Sequence, residues 1–183
     1  MTSGQYSHIV VEQRGMDVAV ALFTPDGKNI GEVDNEKTTV RSEAISAIAG
    51  VTGAYRIEVR SAEKTAGAGR YEIKIESLKM ATAEDKYQVI GEAIFREAKQ
   101  LENGPADDKR KSIEKYQEAL ELYQKAGARK GICDALNNIG AIYWSLGETH
   151  KALDRHNEAL PICRELGYRN GEAITLTNIG TAY

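Results

Sequence analysis

The chain has 183 residues, 42% of them hydrophobic, and its 24 basic and 27 acidic side chains leave a formal net charge of -3. This near balance leaves no basic face that would recruit nucleic acid. No apolar run has the length of a membrane span, and Met1 does not open a charged-then-apolar leader. We expect two modest domains, in the cytoplasm if the start is native, or exported to the periplasm or outside if a signal peptide has been trimmed.

Residues 1–80 alternate between apolar and polar side chains, which is typical of β-strands. The alternating segments, rich in Val, Ile and Tyr, are 7–12, 17–23, 55–59 and 71–75. Pro25-Asp26-Gly27 is predicted to be a tight turn between two of them. These short alternating segments and the turn between them predict an antiparallel sandwich of about six to eight strands.

Several short segments of this region resemble one bacterial family. They are Gly4-Gln5-Tyr6, Gly15-Met16-Asp17-Val18, the Pro25-Asp26-Gly27 turn, 53–59 and 69–73. These segments resemble the pre-peptidase C-terminal (PPC) domain, a jelly-roll-like β-sandwich. In that family another strand normally precedes the Gly-Gln-Tyr segment. The resemblance therefore implies that the first strand is missing here: either the start has been trimmed, or a sheet edge is open to another chain.

Residues 81–183 repeat at a spacing of 40 residues. Aligning 111–143 with 151–183 gives 12 identities in 33 positions. A period of this length is typical of helical solenoids, in which each hairpin buries its apolar stripe against its neighbours. We expect an all-α solenoid of about two and a half hairpins. Its units are an irregular first repeat at 81–128, a complete second repeat at 131–168, and the first helix of a truncated third repeat at 171–183. We read the truncation as a sign of a longer parent protein.

Two sets of positions follow from the helical spacing. Repeat packing is assigned to Leu136, Ile139, Gly140, Tyr143, Ala152, Ala159, Leu160, Ile179, Gly180 and Tyr183. A peptide-binding groove is assigned to Asp134, Asn137, Asn138, Ala141, Trp144, Thr177, Asn178 and Thr181. An Asn amide both donates and accepts, so it can pair with a peptide backbone. The alternative is that each Asn caps or bridges helices within the solenoid, and that Trp144 packs against the next repeat.

The repeats resemble the tetratricopeptide repeat (TPR). The resemblance is carried by Ile139-Gly140 and Ile179-Gly180, by Tyr143 and Tyr183, and by Ala152 and Ala159. Where the family usually has an aromatic residue, the first repeat has Tyr116 but the second has His156. The 40-residue period is similar to the kinesin light chain type. The resemblance implies a non-catalytic scaffold that binds peptides or proteins on its concave face, where the Asn before the Leu-Gly pair often contacts the ligand.

Two alternative functions remain open. A PPC-like domain followed by such repeats resembles the N-terminal part of bacterial TPR/CHAT proteins, so the chain would be the regulatory or sensor arm of a caspase-like protease whose catalytic domain lies beyond residue 183. The second alternative is a carbohydrate-binding or secretion-associated sandwich. It needs an exposed aromatic platform, whereas the strand pattern turns the aromatics of this region inward. These are Tyr6, Phe23, Tyr55 and Tyr71.

Catalytic and metal chemistry find little support in the sequence. His8, His150 and His156 belong to no motif with a nucleophile and an orienting acid. Cys133 and Cys163 are interpreted as two small core residues, with a disulfide as the alternative in an exported protein. We expect no enzyme activity, no metal and no cofactor. The expected partners are a protein or peptide, and further copies of this chain through the truncated third repeat or an open β-sandwich edge.

Overall fold

The computed structural model describes residues 1–15, 17–34, 42–61 and 69–182. The chain forms two compact units, Met1–Thr82 and Ala83–Tyr183. The first is built from β-strands and the second from α-helices. The predicted order of an all-β domain followed by an all-α domain is confirmed.

Antiparallel strands in two sheets make up the first unit. The strands are β1 (Gln5–Arg14), β2 (Val18–Phe23), β3 (Asn29–Val33), β4 (Ser42–Ile48), β5 (Arg56–Ser61) and β6 (Arg70–Met80). One sheet has the order β4-β1-β6 and the other has the order β3-β2-β5. The alternating segments of the sequence correspond to β1, β2, β5 and β6, while β3 and β4 lie between them in the chain. The Pro25-Asp26-Gly27 turn joins β2 to β3, and the Gly27 amide donates to the Thr24 carbonyl oxygen at 2.9 Å.

Apolar side chains of both sheets form the core of this unit. The buried cluster consists of Ile9, Val11, Val18, Val20, Leu22, Val33, Ile45 and Ala47. Residues Val18–Leu22 of the central strand β2 are all buried, with exposures between 0% and 3%. Two hydrogen bonds of the Gln13 side chain precede β2: the Val18 amide donates to Gln13 Oε1 at 2.8 Å, and Gln13 Nε2 donates to Asp17 Oδ1 at 3.2 Å. The sequence pattern predicted a strand from residue 17, whereas Asp17 immediately precedes β2 and contacts Gln13 of β1.

The second unit consists of consecutive antiparallel helices. They are α1 (Ala83–Leu101), α2 (Ala106–Ala126), α3 (Arg129–Ser145), α4 (Thr149–Glu165) and α5 (Arg169–Ala182). Gly127, Gly147 and Gly167 follow α2, α3 and α4 with φ of 66°, 77° and 61°, the left-handed conformation that ends a helix and reverses the chain. Among the described helices, none combines the length and the apolar character needed to cross a bilayer.

Small residues let the helices of this unit approach closely. Ala119, Ala152 and Ala159 have no exposed surface. Beside these small residues, the Tyr116 ring packs edge-on against Phe95 with ring centroids 4.9 Å apart. One close approach between two helices is at Gly140 of α3: a Cβ atom there would lie 2.6 Å from Cε1 of His156 on α4. At Gly180, the equivalent position one repeat later, a Cβ atom would meet nothing within 4 Å.

The two cysteines form a disulfide between α3 and α4. Cys133 and Cys163 are both fully buried, with Cα atoms 5.9 Å apart. The structure therefore favours the disulfide over two separate thiols, although both residues do lie in the core. The bond closes a loop across 30 positions of sequence, and a loop of this length is stabilised by about 3 to 4 kcal/mol, mainly because the unfolded chain is constrained.

Substitution at the two equivalent glycines should have opposite effects. Gly140→Ala forces a methyl group into the His156 ring, and we expect it to lower the free energy of unfolding by about 1 to 3 kcal/mol. Gly180→Ala meets open space, so it should be neutral or stabilise the helix by up to about 1 kcal/mol. Urea unfolding followed by helix ellipticity measures both. Equal effects of the two substitutions would contradict the close contact.

Reducing the disulfide should weaken the helical unit selectively. In urea unfolding followed by helix ellipticity, a thiol reductant should lower the unfolding free energy by about 3 kcal/mol. The matched control is the double variant Cys133→Ala and Cys163→Ala, which should already be destabilised and should no longer respond to reductant. An unchanged midpoint for the reduced wild-type chain would show that the bond does not stabilise the fold.

Candidate functional site

One face of α3 carries most of the predicted groove residues of the second repeat. Asp134 and Asn138 are half-buried, whereas Ala141 is exposed and Trp144 has 51% of its surface exposed. Their spacings of three and four residues place them along one side of the helix. The described structure therefore leaves about half of the Trp144 surface uncovered.

A shallow depression of about 200 Å³ lies beside this face. Three segments meet there: the end of α1 with its following loop, the first turn of α2, and the second half of α3. The lining residues are Glu102, Asn103, Lys109, Asn138, Ala141, Ile142 and Ser145. Of the predicted groove residues, the structure brings Asn138 and Ala141 into this depression.

The sequence analysis missed the charged side chains of the depression. Glu102, Asn103 and Lys109 lie around the Gly104-Pro105 segment that joins α1 to α2, roughly 30 to 40 positions before the α3 residues they meet. The signal available in the sequence was the longer and more polar loop of the first repeat. Loops that carry polar residues on a rigid scaffold are frequent sites of function.

Glu102 is held in place by a buried tyrosine. The Tyr116 hydroxyl donates to Glu102 Oε2 at 2.6 Å, and Tyr116 itself has no exposed surface. Burial and the Glu102 carboxylate together raise the pKa of the Tyr116 phenol, so the hydroxyl keeps its proton and remains a donor. This hydrogen bond fixes one carboxylate oxygen of Glu102 at the rim of the depression.

Asn138 is anchored to its own helix. Its Nδ2 donates to the backbone carbonyl oxygen of Asp134 at 2.9 Å, while the Asp134 carboxylate pairs with Lys130 Nζ at 2.9 Å. The bond uses one of the two Nδ2 hydrogens and orients the amide. Asn138 therefore combines a contact inside its own helix with a position on the depression.

Asn137, in contrast to the prediction, does not line the groove. Its side chain is buried, with 6% of its surface exposed, between α3, α4 and α5. Its Oδ1 lies 3.2 Å from His156 Nδ1 and 2.9 Å from Thr175 Oγ1. The physical reason is a turn of about 100° between consecutive helical residues, which points Asn137 into the packing of the next helix when Asn138 faces outward.

His156 completes this buried polar cluster. Only 1% of its surface is exposed, and burial lowers its pKa below the ordinary value of 6.5. The neutral imidazole is thus favoured, and because an amide oxygen can only accept, the contact with Asn137 Oδ1 assigns the ring hydrogen to Nδ1. His156 packs where Tyr116 packs in the preceding repeat, so it has a structural position rather than a catalytic one.

The groove residues predicted on α5 are on or near the surface. Thr177 and Thr181 are exposed, and their hydroxyls donate at 2.9 Å to the carbonyl oxygens of Ala173 and Asn178 in the same helix. Asn178 is half-buried, like Asn138 one repeat earlier. Ile174 and Leu176 of this helix are 39% and 44% exposed. A groove role for these residues stays a prediction.

The predicted packing positions divide by repeat. Leu136, Ile139, Gly140, Ala152 and Ala159 are buried, and Tyr143 and Leu160 are half-buried. In the third repeat Ile179 is half-buried and Gly180 is exposed, while Tyr183 lies outside the described residues. The packing stripe is therefore covered in the second repeat and only partly covered on α5.

Across the described ranges, His, Cys, Asp and Glu side chains form no group of three that could hold a metal ion.

One family model matches part of the helical unit. Residues 106–165 and 131–183 match the family profile of the tetratricopeptide repeat. No curated protein matches the chain. The helical unit is therefore similar to a generally non-catalytic family whose repeats bind proteins, as the sequence predicted.

Protonation of His156 should make the helical unit sensitive to mild acid. Because its pKa is lower in the folded than in the unfolded chain, the unfolded chain binds more protons below about pH 6.5. The contribution of neutral His156 to the free energy of unfolding is complete above that pH. It is lost as the pH falls, by at most about 1.4 kcal/mol per pH unit. Urea unfolding between about pH 7 and about pH 5 measures this slope.

Two variants isolate the contribution of this histidine. His156→Phe keeps a ring beside Gly140 but cannot be protonated, so the pH slope should become shallower. His150→Phe is the control, because His150 is exposed on the same helix, and its slope should match that of the wild-type chain. If His156→Phe and the wild-type chain lose stability equally on acidification, His156 does not carry the effect.

Proposed function

We propose that the helical unit is a non-catalytic scaffold that binds an extended segment of a protein partner along α3. The observation that carries this proposal is the depression in which Glu102, Lys109 and Asn138 meet from three segments of the unit. A protein partner fits the tetratricopeptide match, and the depression supplies a particular place for it.

The side chains of the depression suit a peptide. An extended backbone alternates N–H donors and C=O acceptors, and the amides of Asn103 and Asn138 can meet either kind of group. Glu102 accepts hydrogen bonds only, whereas Lys109 donates only, so together they favour a ligand that carries both signs of charge. Ala141 and Ile142 provide an apolar floor between these polar groups.

The ligand is expected to run beyond the depression along α3. The exposed indole of Trp144 lies one turn past Ala141 and offers a large apolar surface. In the next repeat Asn178 and Thr181 occupy the positions equivalent to Asn138 and Ala141. A segment of several residues could therefore contact α3 and α5 in succession, which is how repeats extend a binding surface.

The finer family relationships remain proposals. Antiparallel strands in two sheets support the PPC-like assignment of residues 1–80, and the 40-residue period supports the kinesin light chain type of repeat. A regulatory arm of a CHAT protease rests on the same resemblance alone. The carbohydrate-binding alternative is the least supported: Tyr6 is buried, Phe23 and Tyr55 are half-buried, and the exposed Tyr71 alone does not make an aromatic platform.

Selection of peptides from a random displayed library tests the proposal. Peptides that bind the wild-type chain should lose at least about tenfold in affinity for the double variant Asn138→Ala and Lys109→Gln, because a buried hydrogen bond to a charged group contributes about 1.5 to 3 kcal/mol. Titration calorimetry with each selected peptide measures the loss.

The matched control keeps the same residue types on other surfaces. Asn157 is exposed on α4 and Lys111 is exposed on α2, and neither lines the depression. The double variant Asn157→Ala and Lys111→Gln should bind the selected peptides like the wild-type chain, and all three proteins should have equal helix ellipticity. Equal losses in both double variants, or a library that yields no binder, would refute the proposed site.

A further inference from the structure

Strand β6 leaves the apolar side chains on its core-facing side in contact with solvent. It is an edge strand of eleven residues that pairs with β1 on one side, and among the described strands none pairs with its other side. Tyr71, Ile73 and Ile75 are 50%, 42% and 59% exposed. They pair in register with Gln13, Val11 and Ile9 of β1, all of which are buried, so they belong to the face that forms the core.

The opposite edge of the same sheet shows that this exposure is a local feature. Ile9 of β1 lies between Ile45 of β4 and Ile75 of β6 in the pairing register. Ile45 is 2% exposed because β4 packs against β2 and β3, whereas Ile75 is 59% exposed. Within the described part of the chain, the sandwich is therefore covered along β4 and open along β6. A long edge strand with apolar side chains is a template for pairing with another strand.

We propose that two copies of this chain pair through β6, antiparallel, with Ile73 of each copy on the two-fold axis. In this register Tyr71 of one copy lies opposite Ile75 of the other, and the two Ile73 side chains face each other. The exposed apolar side chains of both strands thus gain apolar neighbours on one face. The pairing joins two three-stranded sheets into one continuous sheet and satisfies the backbone groups of both edges.

The charges on the other face of β6 match in the same register. Glu72 of one copy lies opposite Lys74 of the other, and Arg70 lies opposite Glu76. Each charged side chain from Arg70 to Glu76 therefore meets one of opposite sign, and each pair occurs twice by symmetry. The strand thus has a self-complementary sequence, which is the requirement for an interface between identical chains.

Neighbouring registers lack this match. Centring the pair on Lys74 places two lysines opposite each other and sets Glu72 against Glu76. Centring it on Ile75 places Ile73 opposite Ser77 and Glu72 opposite Leu78. Like charges or unmatched apolar residues directly opposite each other destabilise a pair of strands. The second copy is the occupant that this charge pattern favours, and the inference is independent of the proposed groove.

Sedimentation and cysteine cross-linking of the full chain test the pairing. The wild-type chain should show a concentration-dependent monomer–dimer equilibrium. Ile73→Cys should form a disulfide-linked dimer, since Cα atoms of opposed antiparallel residues are about 4.5 to 5.5 Å apart, within the range of a disulfide. Both natural cysteines are already paired with each other, so the introduced thiol is the reactive one.

The control is Ile75→Cys, an exposed position on the same face of the same strand. In the proposed register the two copies of residue 75 are about 14 Å apart, so this variant should not link to itself. A mixture of Ile75→Cys and Tyr71→Cys chains should link as a heterodimer. Self-linking of Ile75→Cys as fast as that of Ile73→Cys would overturn the register, and a wild-type chain that stays monomeric would overturn the dimer.

Charge reversal gives a second readout without cysteines. Arg70→Glu and Glu76→Arg each place like charges opposite one another at two symmetric sites, and each should raise the dimer dissociation constant about tenfold. The double variant Arg70→Glu and Glu76→Arg restores opposite signs and should restore dimerisation. A double variant as weak as the single variants would overturn the proposed pairing.

Discussion

The close contact between α3 and α4 is the constraint on which the rest of the helical unit depends. Gly140 leaves room for the His156 ring, and that ring hydrogen-bonds to Asn137, which also contacts Thr175 on α5. A helical hairpin cannot bury its own apolar stripe, so each hairpin relies on the next. The polar cluster therefore links one repeat to the following one, and the nearby disulfide links the two helices of the same hairpin.

This buried cluster also determines which residues remain for binding. Once Asn137 faces the interior, the regular helix places Asn138 and Ala141 towards the depression. The spacing in the sequence predicted the helices and the stripe, because stacked hairpins need small and apolar residues at the same positions of each repeat. It did not separate Asn137 from Asn138, and it did not find Glu102 and Lys109, because contacts between segments distant in the chain have no local signal.

In the first unit, the sequence pattern predicted strands but did not predict which of them are covered. Alternation predicted β1, β2, β5 and β6, since half-buried strands require apolar side chains on one face. The same alternation placed Tyr71 inward, and the register confirms its face but leaves half of its surface exposed. A covered strand and an uncovered one have the same pattern, because alternation records which way side chains point and not whether another layer lies over them.

Pairing through β6 would change how the scaffold binds. A dimer carries two copies of the depression, so a partner with two copies of the recognised segment engages both and its second contact becomes intramolecular. Avidity then exceeds the affinity of a single depression without any new contact, provided that the segments can span the two sites. A shallow depression binds a single peptide weakly because it buries little of the ligand. A two-fold scaffold is therefore a physically reasonable way for such a surface to discriminate a clustered or repetitive partner from an isolated peptide.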